Sequence, residues 1–240
     1  GLIPPPDACV LVATVRALKY HGGVARKDLE KENIEAVKKG FANLQKHMDN
    51  LRQFGVPFVV AVNHFSSDTQ AELDQVLELC RGNNARAAVS TVWAEGGAGG
   101  RELAEQVISA MEQDEHSFDY LYTPEQSLLE KIETIAAKIY GAGAVAMEGK
   151  IRRRILKLEE QGFGHLPVCV AKTPASLSDD AELLGRPEGF TLIVTDVSLS
   201  AGAGFVVAYC GDIMTMPGLP KTPAAEKIDI TPEGEITGLS

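Results

Sequence analysis

No two of the four cysteines, Cys9, Cys80, Cys169 and Cys210, form a C-x-x-C pair, and they are spread widely through the 240 residues. That spacing excludes a disulfide framework and a cysteine zinc site. Cys9, Cys169 and Cys210 lie in apolar runs, where a free thiol is expected to act as a small buried hydrophobe. The five histidines are scattered without metal-ligand spacing, so no metal site is expected. A reducing, cytoplasmic setting fits this usage. No run of 18 apolar residues occurs, so no membrane-spanning helix is expected, and no signal peptide is visible.

Positive charge is also scarce: 33 acidic side chains against 23 basic ones leave a net charge of −10. A nucleic-acid binder draws most of its affinity from phosphate neutralisation and shows a basic stripe. The one dense basic run, Arg152–Arg154, falls inside an expected helix and reads as a solvated face. Nucleic acid is therefore not an expected partner. Neither a G-x-G-x-x-G fingerprint nor the G-K-[ST] ending of a phosphate-binding loop is found. No Ser-His-Asp or Cys-His arrangement follows from spacing.

What is present is an ordinary globular composition, 45% hydrophobic and 23% charged, in a length that suits one large domain or two smaller ones. The chain begins at Gly1 without methionine and enters a strand almost at once, which reads as a piece of a longer protein. Residues 8–15 form a continuous apolar run, as for a strand covered on both faces. A long amphipathic helix is predicted from about Asp28 to Phe54, with Ile34, Val37, Phe41, Leu44, Met48 and Leu51 on one stripe. Gly55 and Pro57 end it. Strands at 58–62 and 87–92 alternate with helices at about 69–80 and around Leu103–Met111. That alternation implies a parallel α/β sheet with right-handed crossovers.

After about residue 118 the pattern changes. One helix carries Leu128, Ile132, Ile135 and Ile139; the next carries Met147, Ile151, Ile155 and Leu158. Strands follow at 167–171, 190–198 and 205–210, and a terminal hairpin is predicted over 228–236, with Pro232 and Gly234 beside its turn.

Ligands of open α/β sheets bind outside the carboxyl ends of the strands, so the loops there are the candidate site. Arg16–Gly23 mixes cations with a glycine pair and reads equally as an anion site or a solvated loop. Asn63–Asp68 holds Phe65, an aromatic with no obvious core to fill, which offers a face for a flat ring; Asp68 is expected to cap the next helix. Trp93–Gly100 holds the sole tryptophan beside Glu95, Gly96 and Gly97, where glycines permit close backbone approach. A later loop, Lys172–Asp179, combines a cation with hydroxyls. Met214–Pro220 reads as structural.

Several strings in these loops resemble formate–tetrahydrofolate ligase, the bacterial monofunctional type in particular: residues 12–23 (VATVRALKYHGG), 54–63 (FGVPFVVAVN), 93–97 (WAEGG), 171–179 (AKTPASLSD) and 216–220 (MPGLP). The resemblance runs the whole length. It implies ATP-dependent joining of formate to tetrahydrofolate, giving 10-formyltetrahydrofolate through formyl phosphate. It implies the carboxyl-terminal part of a P-loop NTPase-like α/β region over 1–118, followed by a smaller α+β domain over 119–240. Phe65 and Trp93 match the aromatic pair that sandwiches folate, with Asn63, Glu95, Gly96 and Gly97 around them. Lys172, Thr173, Ser176 and Leu177 match a segment near the adenine. By analogy only, the Asn63–Asp68 loop is similar to a base-reading loop of other P-loop proteins. ATP with Mg²⁺, a monovalent cation and a homo-oligomer are implied by the family alone. The departure is the phosphate-binding loop, which belongs to an amino-terminal half not in this sequence. The catalytic residues are accordingly unassigned, and the chain alone is expected to be inactive. A non-catalytic folate- or nucleotide-binding module, or a structural subunit, remain the other readings.

Overall fold

The computed structural model describes residues 5–213, 222–232 and 234–238; the 214–220 segment and its Met-Pro-Gly-Leu-Pro string lie outside them. Two sheets and a short hairpin carry the chain, with parallel strand pairs in both sheets. The first sheet is all parallel, in the order β1 (Cys9–Ala13), β2 (Phe58–Asn63), β3 (Arg86–Ser90). The helices α1 (Val15–His21) and α2 (Ile34–Gln53) connect β1 to β2, and α3 (Gln70–Gly82) connects β2 to β3. The short α4 (Val92–Glu95), a 3-10 stretch Gly96–Gly100 and α5 (Arg101–Gln113) follow.

The helices α1, α2 and α3 each start where a side chain satisfies one of the orphan amides. The Thr14 hydroxyl accepts from the Ala17 amide at 3.0 Å, and the Asn33 side chain accepts from Ala36 at 2.9 Å. That cap moves the start of α2 to Ile34, six residues later than the hydrophobic pattern alone predicts; Arg26–Asp28 form a separate 3-10 turn. Thr69 and Glu72 form a capping box for α3. Asp68 is therefore not the cap: its carboxylate instead accepts from the Phe65 amide at 2.8 Å and closes the loop.

Val37, Phe41, Leu44 and Met48 of α2 pack on Val60 and Val62 of β2, as the stripe predicts. β1 departs from expectation. It is an edge strand, and Val10 and Val12 are 44% and 64% exposed on its outer face, so one face is open where two covered faces were predicted. Cysteine usage departs as well. Cys80 and Cys210 are buried, and burial pushes both thiols up to about 12, but Cys169 is exposed.

The second sheet has the order β4 (Ala144–Met147), β6 (Thr191–Ser200), β7 (Phe205–Cys210), β5 (Val168–Ala171). β6 and β7 are antiparallel, while β4–β6 and β5–β7 are parallel. Its core gathers Leu128 and Ile132 of α6 (Leu128–Ile135), Ile151 and Ile155 of α7 (Gly149–Leu158), and Leu192, Val194 and Val206. Met147 lies in β4 rather than in the predicted helix. The strand is four residues long, too short for periodicity to separate from the helix after it. β8 (Asp229–Ile230) and β9 (Ile236–Thr237) form the predicted hairpin. Among the described residues no helix is long and apolar enough to cross a membrane.

Two close approaches fix the helix arrangement. A Cβ on Gly40 would sit 1.8 Å from the Leu18 carbonyl oxygen, and one on Gly22 would sit 2.1 Å from that of Ala36, so α1 and α2 cross backbone to backbone. Below them Lys19 and Glu72 form an ion pair at 2.9 Å with both side chains fully buried. Lys19 also donates to the Lys31 carbonyl at 3.1 Å, and Glu72 accepts from the Asn33 and Thr69 amides at 2.8 and 3.2 Å. Burial pushes the Glu72 carboxyl up, but the Asn33 amide, Lys19 and the Thr69 amide together bring it below its ordinary value.

Gly40→Ala is expected to cost about 3 kcal/mol or more by urea denaturation, while Gly82→Ala, with open space at its Cβ, costs nothing. An unchanged Gly40→Ala midpoint would exclude the close crossing. Lys19→Met and Glu72→Gln are each expected to cost about 3–5 kcal/mol, because a buried partner is left unpaired, and the double change Lys19→Met/Glu72→Leu to cost less than either. Since the folded carboxyl sits below its unfolded value, its contribution is complete above about pH 4.5 and lost as pH falls through the folded pKa. Additive costs in the double variant would argue against direct pairing.

Candidate active site

The three parallel strands end on one edge, and the loops leaving them carry most of the predicted site. Asn63 ends β2 opposite Ser90 of β3, and the His64 amide donates to the Ser90 carbonyl at 3.1 Å, which ties the two exits together. Phe65 follows and is 48% exposed; Trp93, in the first turn of α4, is 91% exposed. Trp93 is thus on a short helix, where the sequence reads as a loop from Trp93 to Gly100. That helix is built by Thr91, whose hydroxyl donates to Glu95 at 2.8 Å and whose amide donates to Gly99 at 3.1 Å. Glu95 is therefore engaged locally. Gly96 has φ +59°, which glycine alone adopts readily, and a Cβ on Gly99 would sit 2.4 Å from the Thr91 hydroxyl. Gly97 is exposed in the same turn.

The other predicted cluster folds on itself. The Lys172 ammonium donates to the carbonyls of Thr173, Ser176 and Ser178 and lies 4.8 Å from the centre of the Tyr140 ring. Burial pulls its pKa down to about 8. Ser176 and Leu177 are buried, and the Ser176 hydroxyl donates to the Leu183 carbonyl. Lys172, which the resemblance puts near an adenine, is thus occupied with its own loop.

That loop forms one wall of a cavity of about 330 Å³ between the two sheets, with His21, Asn43, His47 and Tyr140 on the other walls. Burial, then His47, lowers the pKa of His21; burial, then Lys172 and Lys46, lowers that of His47. The Gly185 amide donates to Nδ1 of His21 at 3.1 Å, so a neutral His21 carries its proton on Nε2. None of His47, Asn43 or Tyr140 was flagged by sequence. The readable signal was the polar set Asn43, Lys46, Asn50 and Gln53 at helical spacing on α2. These side chains donate to the carbonyls of Gly185, Lys138, Ile139 and again Lys138 at 2.6–3.1 Å, and so join α2 to the second half of the chain.

Pro174 and Ala175 reach further, to the end of β1, which lies two strand spacings, roughly 10 Å, from β3. The Phe65–Trp93 exits and the Lys172 loop therefore face one edge of the first sheet. A larger cavity, about 580 Å³, opens at the opposite, amino ends of the strands. There Arg86 is committed to Asp114 at 2.9 Å, and Arg52 to Asp49 at the same distance. Among the described residues no group of three or more His, Cys, Asp or Glu is disposed to hold a metal ion.

The parallel first sheet, with two unburied aromatic side chains on adjacent strand exits, defines the chain as an α/β protein. The family description "Formate–tetrahydrofolate ligase" matches residues 4–240. The formate–tetrahydrofolate ligase of Granulibacter bethesdensis is 53% identical over 234 residues, 98% of this chain and 41% of the relative. That of Methylorubrum populi is 52% identical over 235 residues, 98% of this chain and 42% of the relative. The chain belongs to the formate–tetrahydrofolate ligase family and spans about two fifths of the length of these relatives.

Because Lys172 supports three carbonyls, Lys172→Met is expected to destabilise the protein by about 2–4 kcal/mol, from unsatisfied polar groups. Lys172→Arg should not restore it, since a planar fork cannot meet three converging carbonyls. Thermal denaturation reads both; a neutral Lys172→Met would return the lysine to a ligand-facing role.

Proposed function

We propose that this chain supplies the folate side of an enzyme that joins formate to tetrahydrofolate with ATP, giving 10-formyltetrahydrofolate through formyl phosphate. The observation that carries this is the pair Phe65 and Trp93: two large aromatic side chains left unburied on neighbouring exits of parallel strands. Leaving a tryptophan 91% exposed has no use in a core, whereas stacking a flat heterocycle on each face of a ligand gives about 1–3 kcal/mol per ring. Asn63, Glu95, Gly96 and Gly97 surround the pair and would line the same folate site.

The nucleotide reading places the base beside Thr173, Ser176 and Leu177. Lys172 would act there by holding the loop's carbonyls rather than by meeting phosphate. The 240 residues contain no G-x-x-x-x-G-K-[ST] string, so in this reading P-loop positioning of the β- and γ-phosphates and of Mg²⁺ falls to the amino-terminal half. In this reading residues 1–118 are the end of a P-loop NTPase-like region and 119–240 a smaller α+β domain. The separate apolar cores of the two sheets support that division. A cytoplasmic homo-oligomer activated by a monovalent cation completes it.

Trp93 is the sole tryptophan, so its fluorescence reports the stack directly. Tetrahydrofolate is expected to quench it, and Phe65→Ala to weaken the binding about five- to a hundredfold. The chain alone should show no ATP-dependent formylation. Absent quenching, or quenching indifferent to Phe65→Ala, would overturn the stacking assignment; turnover by the chain alone would overturn the division of labour.

A further inference from the structure

At the exit of β1 a cleft of about 500 Å³ is lined by Thr14, Arg16, Tyr20 and Arg26 from the first half of the chain and by Pro174 and Ala175 from the second. Among the described residues no Asp or Glu lines it, in a chain whose net charge is −10. Arg16 and Arg26 are exposed. Arg26 lies over the Tyr20 ring at 5.4 Å, which holds the guanidinium plane without neutralising it. Among the described residues neither guanidinium has an ion-pair partner; the acidic residue of the same turn, Asp28, is taken by Lys31 at 2.7 Å. The Thr14 hydroxyl accepts from the Ala17 amide, so its own proton is available to donate.

Two arginines without carboxylate partners, one on α1 and one on the turn that follows, line the same cleft, and a guanidinium suits bidentate contact with an oxygen anion. We propose that this cleft binds the oxyanion end of a substrate, a carboxylate or a phosphate group. The cleft opens on the same sheet edge as Phe65 and Trp93, so a ligand stacked between those rings, or a nucleotide against the Lys172 loop, can extend its charged end into it. The source of the oxyanion rests on the proposed folate and nucleotide reading; the oxyanion chemistry does not. Pro174 and Ala175 close the cleft from the second sheet's side, so it exists only when both halves are folded together.

Calorimetric titration of the chain at low salt with inorganic pyrophosphate, ATP and tetrahydrofolate tests this. Wild type is compared with Arg16→Gln/Arg26→Gln and with Arg153→Gln, an exposed arginine elsewhere. A tenfold or greater loss of affinity for any titrant in the double variant, with Arg153→Gln unchanged, is the expected result. Loss confined to tetrahydrofolate identifies a carboxylate; loss confined to ATP and pyrophosphate identifies a phosphate. A smaller loss for every titrant, no binding at all, or an equal loss in Arg153→Gln overturns the proposal. Trp93 quenching in the same samples separates the two readings. Quenching with no arginine effect sinks only the cleft, and a pyrophosphate effect without quenching sinks only the folate stack. Both arginines are exposed, so the circular dichroism spectrum of the double variant should match wild type.

Discussion

The first sheet depends on one buried ion pair. Lys19 on α1 and Glu72 on α3 meet where neither touches water, a placement that costs several kcal/mol per ion unless every donor and acceptor is used. Here Glu72 accepts from the amide before α2 and from the Thr69 amide at the start of α3, and Lys19 donates both to Glu72 and to the carbonyl of Lys31. One carboxylate thus sets the starting points of two helices and the end of a third relative to them. Because α1 leaves β1 directly and α3 leaves β2 a few residues beyond Phe65, the pair also sets where the exits of those strands point. Hydrophobic packing alone would tolerate sliding of α1 over α2; a saturated buried charge pair does not.

The same device joins the two halves of the chain. On α2 the apolar stripe faces the first core, while Asn43, Lys46, Asn50 and Gln53 hold backbone carbonyls of the second half. In the second half, Lys131 is fully buried and donates to Pro124, Gly164 and Leu166, as Lys172 does within its own loop. Three buried or half-buried ammonium groups, Lys46, Lys131 and Lys172, therefore serve as carbonyl collectors for irregular backbone. They let loops of glycine, proline and serine lie against a core without unpaired carbonyls. The cavities beside the first sheet inherit their walls from these knots.

At the strand exits the opposite rule holds. The residues there are not consolidated into a core, and local devices hold the backbone instead: the Asp68–Phe65 closure, the Thr91–Glu95 and Thr91–Gly99 bonds, and a glycine at positive φ. Stiff backbone with uncovered aromatic and guanidinium groups is how binding surface is prepared without first being buried.

Periodicity and composition by themselves determined the parallel sheet, the apolar stripe of α2, three of the four strands of the second sheet, and the aromatic character of the two neighbouring exits. These are written in local spacing, and a resemblance in short strings reached the family. Tertiary structure alone decided the rest. It decided that α2 begins at Ile34 behind its Asn33 cap, that Asp68 closes a loop rather than capping a helix, and that β4 is a strand. It also decided that one face of β1 is open and that Lys172 is spent on carbonyls. The physical reason is that a hydrogen bond or an ion pair between residues such as Lys19 and Glu72, or Asn43 and Gly185, leaves no periodic trace along the chain. What a polar side chain touches is settled only when distant segments are brought together.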